Sequence, residues 1–215
     1  EQFLQLIAEP NRLVKGPILE AMPPFVLGAS VSDLIDEGVL SPLFMDLPAK
    51  ELPPGPLWWH QEQAIRKAVT LRRNLVVASG TGSGKTECFL MPILNSLFGE
   101  LEQGELTPGV RALLLYPMNA LANDQLKRLR DLLVTMPDIT FGRYTGETKR
   151  TEREAMDQYF EMYDEEPLPN EKISRVAMWD EPPHILLTNY AMLEYLLLRP
   201  EDNVFFDGPQ ADSWR

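Results

Sequence analysis

Several things are scarce in this sequence, and each scarcity excludes a class of protein. There is one cysteine, Cys88, so neither an internal disulfide nor a cysteine-built zinc cluster can form. Basic residues are outnumbered, 20 Lys and Arg against 32 Asp and Glu, for a net charge of −12. That balance excludes nucleic-acid binding by a broadly basic surface. It leaves open a local site built from backbone amides at helix N-termini, or a partner domain that supplies the positive charge. No apolar run approaches the roughly 20 residues needed to span a bilayer, so no membrane partner is expected. No signal-peptide pattern is present and the chain opens on Glu1-Gln2 without an initiator Met, which predicts a piece of a longer, cytoplasmic polypeptide. What is abundant is apolar content, 44 % over 215 residues. That supports one substantial domain, or one domain plus an extension.

The most informative stretch is Asn74 to Phe98, NLVVASGTGSGKTECFLMPILNSLF. Leu75-Val76-Val77-Ala78 has the composition of a buried strand, and Glu87 to Phe98 carries apolar residues at helical spacing. Between them lies a glycine-rich turn, Ser79-Gly80-Thr81-Gly82-Ser83-Gly84-Lys85-Thr86. It departs from the G-x-x-x-x-G-K-[ST] pattern only at its first position, where Ser79 replaces Gly. Consecutive N–H groups in such a turn cradle phosphate oxygens, and the helix aims its positive end at them. Lys85 would reach the β and γ phosphates of a nucleoside triphosphate, and the Thr86 hydroxyl would ligate Mg²⁺. A flexible glycine turn with a stray lysine is the plain alternative; the position between strand and helix weighs against it. Pro92 should kink this helix or loosen its first turns. Cys88 fits a small buried residue one turn in.

Upstream, Phe3–Ala8 suggests one or two helical turns, and Ser32–Gly38 a short helix with a Ser or Asp cap and a Gly stop. Residues 41–56, with five prolines, suggest an extended connector. Residues 1–56 together form an irregular, partly helical N-terminal extension, and the main domain begins at residue 57. Trp58–Leu71 is an amphipathic helix whose buried face is Ala64, Ile65, Ala68, Val69 and Leu71. Gln61 at its start has an amide suited to reading an adenine edge, although a solvated helix-start glutamine is as reasonable from spacing alone.

Downstream, an acidic loop over Gly99–Gly109 precedes a second strand, Val110–Tyr116. A turn at Pro117-Met118-Asn119 leads into a helix to about Val134, with Leu121, Leu126, Leu129, Leu132 and Leu133 as its core stripe. A third strand, Ile139–Tyr144, ends at Thr145-Gly146-Glu147. Lys149–Asn170 is highly charged and suggests a solvated helix followed by an exposed loop. A fourth strand, Ile185–Leu187, leads to Thr188-Asn189 and a helix burying Met192, Leu193, Leu196 and Leu197. Glu201–Arg215 is a loop. Alternation of strands and helices predicts an α/β fold, a parallel sheet with helices on both faces. Ligands bind such sheets at the carboxyl ends of the strands, so all four strand-end turns should converge on one edge.

With these residues in place, the chain resembles the first RecA-like domain of a superfamily 2 helicase, a P-loop NTPase fold. SGTGSGKTE resembles motif I, which tolerates a non-Gly first residue. HQEQAI resembles the adenine-reading glutamine motif at Gln61. YPMNALANDQ resembles motif Ia, YTGETKR motif Ib, and LLTNYAMLEYLLLRP motif Ic. The wording of Ia and Ic is similar to a subgroup that includes the MrfA-like repair helicases and the helicases of phage-defence systems such as DISARM and Druantia.

The resemblance implies ATP and Mg²⁺ as cofactors and an ATP-binding set of Gln61, Gly80, Thr81, Gly82, Ser83, Gly84, Lys85, Thr86 and Glu87. Lys85 and Thr86 would be catalytic. It further implies that Pro117, Asn119, Ala120, Gln125, Thr145, Gly146, Thr188 and Asn189 hold the backbone of one strand of DNA, with RNA as the alternative. A second RecA-like domain of the same polypeptide, and defence- or repair-system proteins, are the implied protein partners. The acidic motif of the family, Asp-Glu-x-His or Asp-Glu-Ala-Asp, is absent; Asp180-Glu181 runs into Pro182-Pro183. The residues given are therefore expected to be inactive alone, since arginine fingers by themselves contribute roughly 10³–10⁵ in rate. A small-molecule P-loop kinase, or a degenerate domain used as a scaffold, are the competing classes.

Overall fold

The computed structural model describes residues 24–206. The helical turns expected at Phe3–Ala8 and the end of the loop beyond residue 206 lie outside them. A parallel sheet organises the domain. Its strands are β1 (Ala112–Tyr116), β2 (Phe141–Arg143), β3 (Glu171–Lys172) and β4 (Ile185–Asn189), in the spatial order β1-β4-β2-β3. Every pairing is parallel, with Ala112 opposite Ile185 and Phe141 opposite both Ile185 and Glu171. β4 lies inside the sheet and is apolar on both sides: Ile185 and Leu187 enter one core and Leu186 the other. A strand covered on both faces carries a continuous apolar run rather than an alternating one, as Ile185-Leu186-Leu187 does.

The larger core lies under α1 (Val31–Asp36), α2 (Trp59–Val69), α3 (Lys85–Glu102) and α4 (Asn119–Leu133). The smaller one lies under α6 (Arg175–Asp180), α7 (Tyr190–Leu198) and the 3₁₀ turn Pro200–Phe205. A further helix, α5 (Glu152–Tyr163), buries only Ala155 and Tyr159, which fits the solvated helix expected there. Helix starts follow capping chemistry. Ser30 and Thr151 form reciprocal capping boxes with Asp33 and Glu154, and Ser174 and Asn189 each accept from the third N–H of their helix.

The structure corrects several expectations. Leu75–Ala78 is not a strand: residues 72–80 have no regular structure, and Val76 is 96 % exposed. An apolar run becomes a strand only when a neighbouring backbone accepts its ladder, and none of the described residues pairs with it. The proline-rich 41–56 segment is not simply extended. It folds into 3₁₀ turns at Pro42–Asp46 and Ala49–Glu51, and Phe44 is fully buried edge-on against Phe98, ring centroids 5.0 Å apart. Thus part of the N-terminal extension belongs to the main core.

Leu71, Leu121 and Leu197, expected on buried faces, are 56 %, 40 % and 59 % exposed. Leu71 lies in the turn beyond the end of α2, while Leu121 and Leu197 sit at the margins of their stripes, where a small change in helix rotation moves a residue to the surface. β3 and α6 lie in the stretch 171–184, to which the sequence reading assigns no element. β3 pairs with β2 at Phe141–Glu171, and Arg130 of α4 grips Glu171 there through two hydrogen bonds, 2.8 and 2.7 Å. α3 continues through Pro92 without a break.

The far end of the sheet is locked by a buried histidine. His184 Nδ1 accepts from the Thr140 N–H (2.9 Å), and Nε2 lies 3.1 Å from the Thr107 carbonyl. Burial pushes its pKa down to about 4, with the nearby Arg111 and Lys172 cations adding to the effect of desolvation. Arg111 is itself paired with Glu100 at 2.9 Å, both side chains nearly enclosed.

Candidate nucleotide and nucleic-acid site

The glycine-rich turn is positioned by α2 and α3. Gly82 and Gly84 adopt left-handed backbone, φ 74° and 65°, which an L side chain resists. Gly84 is doubly constrained, because a Cβ there would lie 2.3 Å from Gln61 Nε2. α3 starts on Gly84 without any capping side chain, so its first N–H groups face the turn. α4 likewise starts after Met118 with no side-chain cap. Four helices elsewhere in the domain receive one. A helix N-terminus left uncapped beside a glycine turn fits an anion, and the residues present therefore suit a triphosphate.

Lys85 lies across the turn, with Nζ donating to the Ser79 and Gly80 carbonyls at 2.9 and 2.6 Å. Phosphate oxygens would replace those acceptors. Ser79 Oγ lies 2.6 Å from Ser83 Oγ, so the serine that stands in the usual glycine position ties the turn to itself. Thr86, half-buried at the second helical residue, has a hydroxyl suited to a hard cation.

Gln61 is 94 % buried against the turn rather than solvated, since its exposed fraction is 6 %. Its Oε1 accepts from the Trp58 N–H (2.8 Å), half of a capping box, and its Nε2 donates to the Gly84 carbonyl (2.9 Å) and to Glu87 (3.3 Å). Glu87 also pairs with Arg128 at 2.5 Å. His60 Nε2 lies 2.8 Å from the Ser83 carbonyl. Thus α2 holds the turn through two side chains, and a cleft of about 590 Å³ opens beside it, lined by Pro53, Pro54, Pro56, Trp58, Gln61 and Gly84. The prolines read as a connector form one wall of that cleft.

Three strand-end turns share the carboxyl edge of the sheet, and their side chains are bonded together. Asn189 Nδ2 donates to Asn119 Oδ1 at 2.7 Å, joining the turn after β4 to the turn after β1. Asn119 Nδ2 donates to Glu147 at 3.0 Å, joining both to the turn after β2. Thr188 Oγ1 donates to the Tyr144 carbonyl at 2.6 Å. Thr145 is fully buried and accepts at Oγ1 from the Glu147 N–H, while Gly146 is exposed. Pro117 and Ala120 are exposed and Gln125 is half-buried on α4. The fourth turn, the glycine-rich one, does not follow a sheet strand, so the expected convergence holds for three turns as a sheet property. Asn189 also accepts from the Met192 N–H (2.7 Å), so its side chain is committed both to a cap and to Asn119.

Sequence reasoning missed His60, Glu147, Arg128 and Arg175. Arg175 donates from Nε to the Thr148 carbonyl (3.0 Å) and from Nη2 to the Thr145 carbonyl (3.3 Å), and its guanidinium lies over the Tyr144 ring. Glu147 was within the quoted YTGETKR stretch, but nothing in a linear pattern says which turn a side chain faces.

An uncapped helix behind a glycine turn, a buried glutamine beside it and a bonded row of strand-end turns mark an α/β domain whose carboxyl edge suits a triphosphate. The chain belongs to the DEAD/DEAH box helicase family, whose model matches residues 59–204. It is 30 % identical, over 97 % of its length, to the Druantia protein DruE of Escherichia coli strain UMEA 4076-1, of which it spans 16 %. It is 32 % identical, over 60 % of its length, to the ATP-dependent helicase Lhr-Core of Methanothermobacter thermautotrophicus, of which it spans 14 %. The chain thus covers about a sixth of these curated relatives. Its fold is similar to that of the DUF1998 helicase MrfA bound to DNA and AMPPNP, with TM-score 0.57, 22 % identity, and coverage of 86 % of this chain and 21 % of that one. The DEAD-box helicase Mss116 bound to ssRNA and UDP-BeF is also similar, with TM-score 0.54, 20 % identity and coverage of 86 % and 32 %. Both likenesses support a RecA-like fold.

Proposed function

We propose that this chain is the ATP-binding half of an ATP-dependent helicase or translocase acting on DNA, with RNA as the alternative substrate. The observation that carries the reading is the bonded row Thr188–Tyr144, Asn189–Asn119–Glu147 along one sheet edge, which ties three turns into one surface. Turns fixed to one another hold a strand at a constant repeat. Contacts from backbone amides at the starts of α4 and its neighbours position a phosphate chain without reading its sequence. This suits a chain of charge −12.

ATP would lie in the cleft beside Gln61, its phosphates on the N–H groups of Gly82 to Thr86. Mg²⁺ supplies charge neutralisation at the phosphates, and Thr86 is the residue that would hold it. Lys85 would leave the Ser79 and Gly80 carbonyls for the β and γ phosphates, so nucleotide binding releases the turn from its internal bonds. A second RecA-like domain of the same polypeptide would close over the nucleotide and move the strand. From the likeness of motifs Ia and Ic to the MrfA-like and Druantia helicases, we propose a defence or repair setting with protein partners to match. Among the described residues, no helix is long and apolar enough to cross a membrane.

The test is ATP turnover by the intact protein with and without single-stranded DNA. Strand-stimulated turnover that disappears in Lys85→Ala supports the reading; a fully active Lys85→Ala protein defeats it.

A further inference from the structure

We infer that the cleft beside the Thr145–Gly146 turn is a further nucleic-acid contact, which takes one nucleotide of a single strand by its phosphate and its base. This rests on the reading of the chain as a nucleic-acid motor and extends it to side chains outside the three turns. The cleft has a volume of about 310 Å³, and its walls include Lys149, Arg150, Arg175 and Trp179. It adjoins the bonded edge directly, because Gly146 and Thr148 form part of the wall.

The charge here runs against the rest of the chain. Four arginines elsewhere are committed to carboxylates: Arg66 to Glu37 and Glu62, Arg111 to Glu100, Arg128 to Glu87 and Arg130 to Glu171. Lys149 and Arg150 are exposed, and neither has an ion-pair partner within 4.0 Å among the described residues. Arg175 adds a third cation, fixed by its bonds to the Thr145 and Thr148 carbonyls. Of the two carboxylates in the wall, Glu147 is already bonded to Arg143 (3.2 Å) and Asn119 (3.0 Å). Three cations thus face the two wall carboxylates Glu147 and Glu201, with Glu154 also close to Lys149. A cleft of this sign attracts a phosphate.

The aromatic partner is held ready. Trp179 is half-buried, and its indole N–H donates to the buried carboxylate of Asp202 at 3.0 Å, which fixes the ring. Tyr144, below it, donates to the same carboxylate. The Arg150 guanidinium lies over the Trp179 face, 5.5 Å from its centroid. Being exposed and unpaired, it can leave the ring for a phosphate, and that movement opens the face to a base. Basic residues that track a backbone beside an aromatic that stacks a base are the general solution for sequence-independent single-strand binding.

The experiment measures binding of a fluorescent oligo-dT by the intact protein across a salt series. Each phosphate contact on a single strand contributes about 0.7 to the slope of log affinity against log salt, so Lys149→Ala/Arg150→Ala should lower the slope by about 1.4. Trp179→Ala should weaken binding at least about fivefold, and Trp179→Phe should restore most of it, since a ring suffices for stacking. Melting temperatures near wild type for the exposed double variant keep folding out of the comparison. Normal wild-type binding with an unchanged slope in the double variant overturns the inference and leaves the motor reading intact. The same holds if Lys67→Ala/Arg73→Ala, remote from the cleft, lowers the slope equally. A wild-type protein that binds no strand at all, with or without ATP, defeats both.

Discussion

Lowering the pH from 7 to 5 should weaken the fold through one side chain, His184. The ring is 4 % exposed, accepts the Thr140 N–H at Nδ1 and faces the Thr107 carbonyl through Nε2. Protonation would put the ring's second hydrogen on Nδ1, against the N–H it now accepts, and would bury a charge near Arg111 and Lys172. Burial holds the folded pKa at about 4, below the ordinary 6.5 of the unfolded chain. The sign follows: below pH 6.5 the unfolded chain binds a proton that the folded one refuses, so stability falls with pH until the folded group titrates near 4. At pH 5 the unfolded ring is mostly charged and the folded ring mostly neutral. The difference, 1.5 pH units at 1.36 kcal/mol each, is about 2 kcal/mol. This is a large part of the 5–15 kcal/mol typical of a domain.

Urea unfolding of the 215-residue chain followed by tryptophan fluorescence, at pH 7 and pH 5 and constant ionic strength, measures the loss. His184→Gln removes the titration. It should start lower at pH 7, having lost the acceptor for the Thr140 N–H, and should lose about 2 kcal/mol less on acidification than wild type. Because the chain has two histidines, the imidazole resonances of His60 and His184 can be titrated separately by NMR. A His184 resonance titrating near 6.5, or parallel pH profiles for wild type and variant, would refute the reasoning.

Further predictions concern the site and the sheet. Gly84→Ala places a methyl 2.3 Å from Gln61 Nε2 on a left-handed backbone; it should cost about 1–2 kcal/mol in strain alone and abolish binding of a fluorescent ATP analogue. Asn119→Ala and Asn189→Ala remove the two ends of one 2.7 Å bond, so a double-mutant cycle on the urea midpoint should show about 1 kcal/mol of coupling; strictly additive effects would mean that the turns are not linked. Gly142→Ala drives a Cβ to 2.8 Å from the Lys172 carbonyl and 3.1 Å from Met178 Sδ; it should destabilise by about 1–3 kcal/mol and increase amide exchange in β2 and β3. Asn170→Ala leaves the carbonyls of Leu133, Met136 and Ile139 without their shared donor and should lower the melting temperature by several degrees, an effect of about 1–3 kcal/mol.

Much of the domain was legible in the linear sequence because the relevant physics is local. Ile185-Leu186-Leu187 is a buried parallel strand by composition, and Gly84-Lys85-Thr86 closes a glycine turn that opens α3. The stripe Leu126, Leu129, Leu132 and Leu133 shows the buried face of α4 by spacing alone. Failures came where the outcome depended on a distant backbone. Leu75–Ala78 has strand composition, but a strand is a relation between two chains, and no described residue pairs with it. The prolines at 53–56 carry no sign that they face Gln61 and Gly84 across a cleft. β3 pairs with β2 and is held by Arg130, 41 residues before Glu171.

The sequence by itself determined the chemistry available: a glycine turn with Lys85 and Thr86, a glutamine ahead of it, and polar turns after successive apolar strands. Those features depend on neighbours within a few residues, where covalent connection limits the options. Tertiary structure decided how they are coupled. It buried Gln61 against Gly84, bonded Asn189 to Asn119 and Asn119 to Glu147, and left Lys149 and Arg150 unpaired beside Trp179. Such pairings are set by which elements pack side by side, a long-range property that the parallel sheet fixes by bringing separate strand ends to one edge.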